Sequence, residues 1–275
     1  MNILRLELHN QRKGLLIWSS IMFVSVFLFM AFFPSMGAGN MGELLTSETA
    51  AFSSEMLAAF GLDNMPDFSK IQEFFAYEMQ YIALAGAIYA ALRGATALIG
   101  EETSGTIEYL YAQPVRRSEI FFQKLLASGI TFLSYSAAIT AASLISLLCF
   151  KTKDTGLSSA AAGMVKIMIG MFFSGMVFLC IGFLLSTILK SSRQVASTAN
   201  GLVFGTYILG IFTNAFEKNI NGIKNLTYLS PLDYAMPADI LRYGFQTKFV
   251  LLGFAVMLIS IACAYSIYLN KDLKS

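Results

Sequence analysis

The sequence has few charged residues. Asp, Glu, Lys and Arg make up only 13% of its 275 residues, whereas a soluble globular protein carries roughly 25%. Apolar residues account for 56% of the chain, and the mean hydropathy is +0.64. A chain of this length cannot hide that much apolar surface in one core. The composition therefore excludes an ordinary soluble enzyme and predicts that much of the surface faces lipid.

Residue types that build catalytic and metal sites are also scarce. The single histidine, His9, precedes the first apolar stretch, so a serine–histidine pair or a histidine zinc site inside the membrane has no basis. No aspartate falls in the middle of an apolar stretch, which disfavours an aspartyl pair and with it an intramembrane hydrolase. The three cysteines lie in apolar runs without metal-ligand or disulfide spacing. A net charge of +2 gives no field for binding nucleic acid.

Six apolar stretches are about as long as the roughly 20 residues that cross a bilayer. They cover 15–33, 76–99, 125–150, 164–189, 195–216 and 249–269. An even number of spans puts both termini on one side. Lys and Arg are more frequent in the segments on that side, and the long loop 34–75 on the other side is acidic, so we expect both termini to be cytoplasmic.

The outer loops and the charged residues of the spans complete this topology. Apolar residues at near-helical spacing in loop 34–75 suggest an amphipathic helix on the outer surface. Prolines 231 and 237 break the stretch 217–248, which we predict to be an outer helical hairpin. Glu78, Arg93 and Lys166 are expected near span ends, where long side chains reach the lipid headgroups.

The segment 101–124, between the second and third spans, has clear helix signals. Gly105 can cap a short helix over 106–113, and Pro114 ends it. Three apolar residues of this helix share one face, namely Ile107, Leu110 and Tyr111. We predict a short helix that lies across the membrane surface between two spans.

One string in this segment carries a resemblance to a known family. Glu-Glu-x-x-Gly-Thr-x-Glu-x-Leu, then Pro-Val-x-Arg and a Lys about seven residues later, resembles the segment after the second span in permease subunits of ABC-2 type transporters. In that family this segment is the coupling helix, which docks on a separate ATP-hydrolysing subunit. The positions that the resemblance implies at the ATPase contact are Glu101, Glu102, Gly105, Thr106, Leu110, Pro114 and Arg117. The apolar face of the predicted helix adds Ile107 and Tyr111 to this contact.

The same resemblance implies the fold. We expect a single all-α membrane domain over 1–275, with a cytoplasmic amphipathic helix over 1–13 that contains Glu7. Six spans, the coupling segment 101–124 and the outer hairpin 217–248 before the last span complete it. In the family, the first and fifth spans line the boundary between two permease subunits. A second subunit, identical or closely related, is expected because complete transporters usually have twelve spans.

Residues of small side chain in the fifth span could form that boundary. Ser197, Gly201 and Gly205 follow one another at intervals of four residues, a spacing that lets two helix backbones approach closely. Packing inside one subunit and contact between two subunits are both compatible with the spacing alone.

The sequence has no Gly-x-x-x-x-Gly-Lys-Ser/Thr string, the loop that holds ATP phosphates. We therefore expect a chain that is not an enzyme and holds no cofactor, with ATP and Mg²⁺ bound by the partner ATPase. The implied function is export of a hydrophobic or amphipathic substrate, such as an antimicrobial peptide, a drug or a lipid. The alternative is a membrane immunity or sensor protein that captures a ligand on its outer loops without transporting it.

Overall fold

The computed structural model describes residues 3–37, 53, 56–57, 66–100, 115–151, 156–189, 191–217, 220 and 222–271. All regular structure in these residues is helical, which confirms the predicted all-α fold for this part of the chain. The α-helices are α1 (Ile3–Ala31), α2 (Phe33–Gly37), α3 (Ile71–Thr96), α4 (Arg117–Phe150), α5 (Leu157–Ile188), α6 (Ser192–Phe216), α7 (Pro237–Tyr243) and α8 (Thr247–Asn270). Two 3-10 helices, Ile223–Leu229 and Asp233–Ala235, lie between α6 and α7.

Five helices of the described chain are long and apolar enough to cross a membrane. They are α1 with its extension to Ser35, α4, α5, α6 and α8. Helix α3 contains 26 residues and is thus also long enough, but it is less apolar because it carries Glu78 and Arg93 as well as many alanines. The predicted second span, over 76–99, would bring the number of spans to six, and it stays a prediction.

The N-terminal helix differs from the sequence-based expectation. We expected a separate helix over 1–13, but α1 runs without a break from Ile3 to Ala31. No proline interrupts this stretch, and Gly14, its weakest helix former, faces a neighbour that needs the space. A Cβ at Gly14 would lie only 2.5 Å from a guanidinium nitrogen of Arg93.

Helix α3 lies at the centre of the bundle. It packs most extensively against α5 and also against α6, while α1 packs against α4 and α8 against α5. The backbones of α3 and α5 touch, because a Cβ at Gly94 would overlap the carbonyl oxygen of Leu179 and a Cβ at Gly182 would overlap that of Ala91. Since protein rather than lipid surrounds much of α3, this helix needs fewer apolar residues than its neighbours.

Burial of α3 corrects the expectation for Glu78. This residue is only 4% exposed, and neither carboxylate oxygen has a hydrogen-bond partner among the described residues. Contrary to the expectation, the Glu78 side chain does not reach the lipid headgroups. The guanidinium of Arg93 lies 5.1 Å from the centre of the Tyr89 ring. Lys166 is exposed.

The bundle has two distinct ends. One end contains the starts of α1 and α4 and the ends of α3, α5 and α8. We call it the terminal end, because the first and the last described helix begin and finish there. The opposite end contains the two 3-10 helices and α7, which form the region predicted as a hairpin. This region is fixed to α5, because the Ser174 hydroxyl donates to the carbonyl oxygen of Pro231 at 2.9 Å and Gly170 leaves room for the side chain of Ile240.

Candidate functional site

The predicted ATPase-contact residues lie mostly outside the described chain. Only Arg117 is described, whereas Glu101, Glu102, Gly105, Thr106, Ile107, Leu110, Tyr111 and Pro114 are not. The structure does describe the residues at both ends of segment 101–114. These two anchors, at the end of α3 and at the start of α4, form the candidate site.

The first anchor holds the chain where it leaves α3. The backbone N–H groups of Leu98 and Ile99 both donate to the hydroxyl oxygen of Ser186 in α5, at 2.8 and 3.0 Å. Ser186 is fully buried. Backbone donors at such a depth must be paired, so this one hydroxyl fixes the direction in which the chain leaves the helix.

A buried ion pair joins the first anchor to α1 and α4. The ammonium group of Lys124 lies 2.6 Å from a carboxylate oxygen of Glu7 and donates to the carbonyl oxygen of Ala97 at 2.9 Å. The Lys124 side chain is 2% exposed and that of Glu7 is 14% exposed. A charge at this depth is stable only when it is paired and hydrogen-bonded. One lysine thus connects three elements of the terminal end.

The second anchor holds the start of α4. The guanidinium of Arg117 donates to the carbonyl oxygens of Leu269 and Lys271, at 3.5 and 3.3 Å. The backbone N–H of Leu4 donates to the side-chain oxygen of Gln123 at 3.0 Å. Arg117 therefore contacts the end of α8, and its predicted contact with an ATPase stays a prediction.

Aromatic rings fill the space between the two anchors. Phe121 is fully buried, and its ring centre lies 5.1 Å from that of Phe183, 5.3 Å from Tyr265 and 5.8 Å from Tyr268. Such edge and tilted contacts are favourable ring geometries. They join α4, α5 and α8 at the terminal end of the bundle.

Sequence reasoning missed how this site is assembled. Glu7 and the lysine of the motif, Lys124, both stand out in the sequence, but nothing in the sequence links them. A lone lysine beside an apolar stretch was the available signal, since it needs a partner when buried. Ser186 gave no signal, because serines are common in membrane helices.

The predicted dimer residues lie on a free face of α6. Ser197, Gly201 and Gly205 are all exposed. No atom of the described chain lies within 4 Å of the position that a Cβ would take at either glycine. The structure thus offers no partner inside the described chain for these glycines, and the contact between subunits stays a prediction.

The opposite end contains a carboxylate with altered acidity. Asp233 is partly exposed as a residue, but its Oδ2 atom is buried without a hydrogen-bond partner in the described chain. Burial raises the pKa of Asp233 to about 7, and the charge of Asp239 adds to this effect. Within the described ranges, no three His, Cys, Asp or Glu residues come together in a group that could hold a metal ion.

Comparison with known proteins agrees with the motif in segment 101–124. A family model described as ABC-2 family transporter protein matches residues 1–273. A search of curated proteins found no match. Members of the matched family are membrane components of transporters and are not themselves catalytic. Because the match covers nearly the whole chain, the protein belongs to the ABC-2 transporter family and is a transmembrane subunit of an ABC transporter.

Proposed function

We propose that this subunit exports a hydrophobic or amphipathic substrate, driven by a separate ATPase that docks on segment 101–124. The observation that carries the proposal is the construction of the two anchors. At the end of α3, the first anchor is attached to α5 by Ser186 and to α1 by Lys124. At the start of α4, the second anchor is attached to α8 by Arg117. A segment that merely joined two helices would not need a buried ion pair and two buried backbone contacts.

Docking would act through the apolar face of the segment. Ile107, Leu110 and Tyr111 enter a groove of the ATPase, and movement of the ATPase shifts both anchors together. The shift reaches the spans through the bonds described above. This mechanism requires six spans with α3 among them, both termini in the cytoplasm, and the terminal end facing the ATPase.

The docking step is tested by Leu110→Asp. Burying a leucine contributes about 1.5–3 kcal/mol, and a buried unpaired carboxylate costs more, so we expect recovery of the co-expressed ATPase to fall at least about tenfold. Leu110→Met is the matched control and should retain the ATPase. Undiminished recovery together with undiminished transport in Leu110→Asp would show that the segment is only a connection.

The division of labour has its own test. The purified chain should hydrolyse no ATP above background, and adding the ATPase should produce turnover. Sustained hydrolysis by the isolated chain would refute a separate motor. Ligand binding by a chain that never recovers an ATPase from its membrane would favour the sensor alternative.

We also propose that two permease subunits meet along the free face of α6. Lipid offers no apolar driving force between helices, so close backbone contact at small residues is what holds them together. Cysteine at Ser197 or Gly201, with the three native cysteines replaced, should crosslink two subunits, and Gly205→Leu should reduce the yield. Cysteine at Leu258 on the exposed face of α8 is the control position. Efficient crosslinking from α8 or α4 but not from α6 would place the contact elsewhere.

A further inference from the structure

A cation without a counter-charge in the described chain lies between α1 and α3. The guanidinium of Arg93 makes no salt bridge or hydrogen bond to any described residue. Its Nε atom is buried, but the residue as a whole is only half-buried. The two terminal nitrogens are therefore accessible from outside the bundle. A charge that is partly removed from water needs an anion to offset the lost hydration.

The fold holds this guanidinium in one place. Gly14 of α1 leaves room for it, because a Cβ there would lie 2.5 Å from one of its terminal nitrogens. The centre of the Tyr89 ring lies 5.1 Å away, within the range of a cation–π contact. Tyr89 precedes Arg93 by one turn, so the guanidinium lies over a part of α3 further from the terminal end. An arginine that only reached for the headgroups would point the other way.

The guanidinium lies where α1 changes from polar to apolar. Charged residues occur in α1 up to Lys13, and the apolar stretch 15–33 follows Gly14 directly. Because α1 is long and apolar enough to cross a membrane, Gly14 marks the boundary between headgroups and hydrocarbon. No Asp or Glu follows Glu7 in α1, and none follows Glu78 in α3. These two helices thus offer no anion beside the guanidinium.

An apolar stripe leads from this boundary along α1. Ile17, Ile21, Val24 and Leu28 are all exposed, and their spacing puts them on the helix face of Gly14. Leu28 is fourteen residues from Gly14, which corresponds to about 21 Å at 1.5 Å per residue. One leaflet contributes about 15 Å to the hydrocarbon core. The stripe is therefore long enough to line an acyl chain of one leaflet.

We propose that Arg93 binds the phosphate of an anionic phospholipid whose acyl chain lies along this stripe of α1. The planar guanidinium presents its two accessible nitrogens to two phosphate oxygens, the bidentate arrangement that favours arginine at phosphates. The lipid supplies the counter-charge that the described chain lacks. Binding needs neither the ATPase nor transport, so the site goes beyond the proposed function.

Trp18 is a natural reporter for this site. It is the only tryptophan in the sequence, and its ring centre lies 5.3 Å from that of Tyr89. In bilayers of phosphatidylcholine brominated on the acyl chain, adjacent bromine atoms quench the Trp18 fluorescence of the reconstituted full-length protein. Unbrominated phosphatidylglycerol should restore it at about two- to fivefold lower concentration than unbrominated phosphatidylcholine, the size of a partly exposed ion pair. Equal restoration by the two lipids would overturn the proposal.

Substitutions locate the preference at the guanidinium. Arg93→Gln should abolish the preference for phosphatidylglycerol, and Arg93→Lys should retain part of it, because the charge remains without the bidentate geometry. Arg12→Gln removes the same charge from an exposed position on another face of α1 and should change nothing. An unchanged preference in Arg93→Gln, or an equal loss in Arg12→Gln, would assign the effect to a generally basic surface and refute the site.

Further competitors and a second reporter test the chemistry of the ligand. Diacylglycerol, which lacks the phosphate, should restore the fluorescence no better than phosphatidylcholine. Soluble glycerol phosphate should not restore it, and restoration would show that an anion binds without an acyl chain. Leu258→Trp in a Trp18→Phe background reports from the exposed face of α8 and should show no preference; the same preference there would overturn the site. Absence of quenching at Trp18 would show that protein, such as a second subunit, covers the stripe, and would also overturn it.

Discussion

Removing the carboxylate of Glu7 should destabilise the terminal end of the bundle. Glu7→Gln removes the negative charge that lies 2.6 Å from the Lys124 ammonium, a group that is 2% exposed. Breaking a buried ion pair from one side costs about 3–5 kcal/mol. The partial exposure of Glu7 lets water reach the pair, so we expect a cost of about 3 kcal/mol, near the lower limit.

A double-mutant cycle separates the pair from the individual residues. Lys124→Met alone leaves a carboxylate that is near water, so it should cost less than Glu7→Gln. The double variant Glu7→Gln/Lys124→Met removes both members of the pair and should cost less than the sum of the two single changes. We expect a coupling energy of at least about 1 kcal/mol, as found for directly interacting residues.

Thermal unfolding in nanodiscs measures the effect, with ATPase recovery as a second readout. Glu7→Gln should lower the unfolding temperature by roughly 5–10 °C and reduce recovery of the ATPase, because the first anchor loses its connection to α1. Arg5→Gln, on the exposed surface of α1, is the control and should leave both readouts unchanged. Additive effects in the cycle, with no recovery in the double variant, would refute the structural role of the pair.

Three further predictions concern other buried polar groups. Ser186→Ala should lower the free energy of unfolding by about 2 kcal/mol, since two backbone donors lose their acceptor. It should also reduce transport more than the control Thr187→Ala, whose hydroxyl bonds only within α5. Equal effects of the two variants in a transport assay would contradict the role of the first anchor. Glu78→Met should raise the unfolding temperature by removing a buried unpaired carboxyl group, and a lower temperature would show that Glu78 has a partner. Because the folded-state pKa of Asp233 is about 7, above the ordinary 3.8, the free energy of unfolding should fall as the pH rises from about 4 to 7. In a pH series of unfolding temperatures, Asp233→Asn should remove the part of this fall that Asp233 causes. An unchanged pH dependence in Asp233→Asn would contradict the prediction.

Apolar length predicted most of the helices, because crossing a bilayer requires a minimum run of apolar residues. The fifth span was expected over 195–216, and the helix covers Ser192–Phe216. The second was expected over 76–99, and the helix covers Ile71–Thr96. Helix ends moved because caps and neighbouring helices, rather than hydropathy, determine where a helix stops.

Contacts between helices could not be predicted in the same way. Glu7 and Lys124 are 117 residues apart, and their pairing depends on α1 packing against α4. Small-residue spacing predicts a close approach at Gly201 and Gly205, yet among the described residues the backbones of two helices meet at Gly94 and Gly182. Spacing shows that a close approach is possible, but only the packing shows which helix faces which.

The motif in segment 101–124 identified the family without any knowledge of the packing. Its pattern of glutamates, glycine and proline resembles that family's segment, and the family match over 1–273 agrees with the family assignment. The anchors on either side of it became visible only in the structure, because they are built from α1, α5 and α8, which are distant in sequence.

Photo-crosslinking from position 110 tests the central claim most directly. A benzophenone amino acid in place of Leu110, in the full-length chain in its native membrane, should crosslink to a chain that contains a phosphate-binding loop and hydrolyses ATP. The same amino acid in place of Leu229, which is exposed at the opposite end, should give no such product. If position 110 yields no ATPase product, or if position 229 yields it equally well, segment 101–124 is not the docking site.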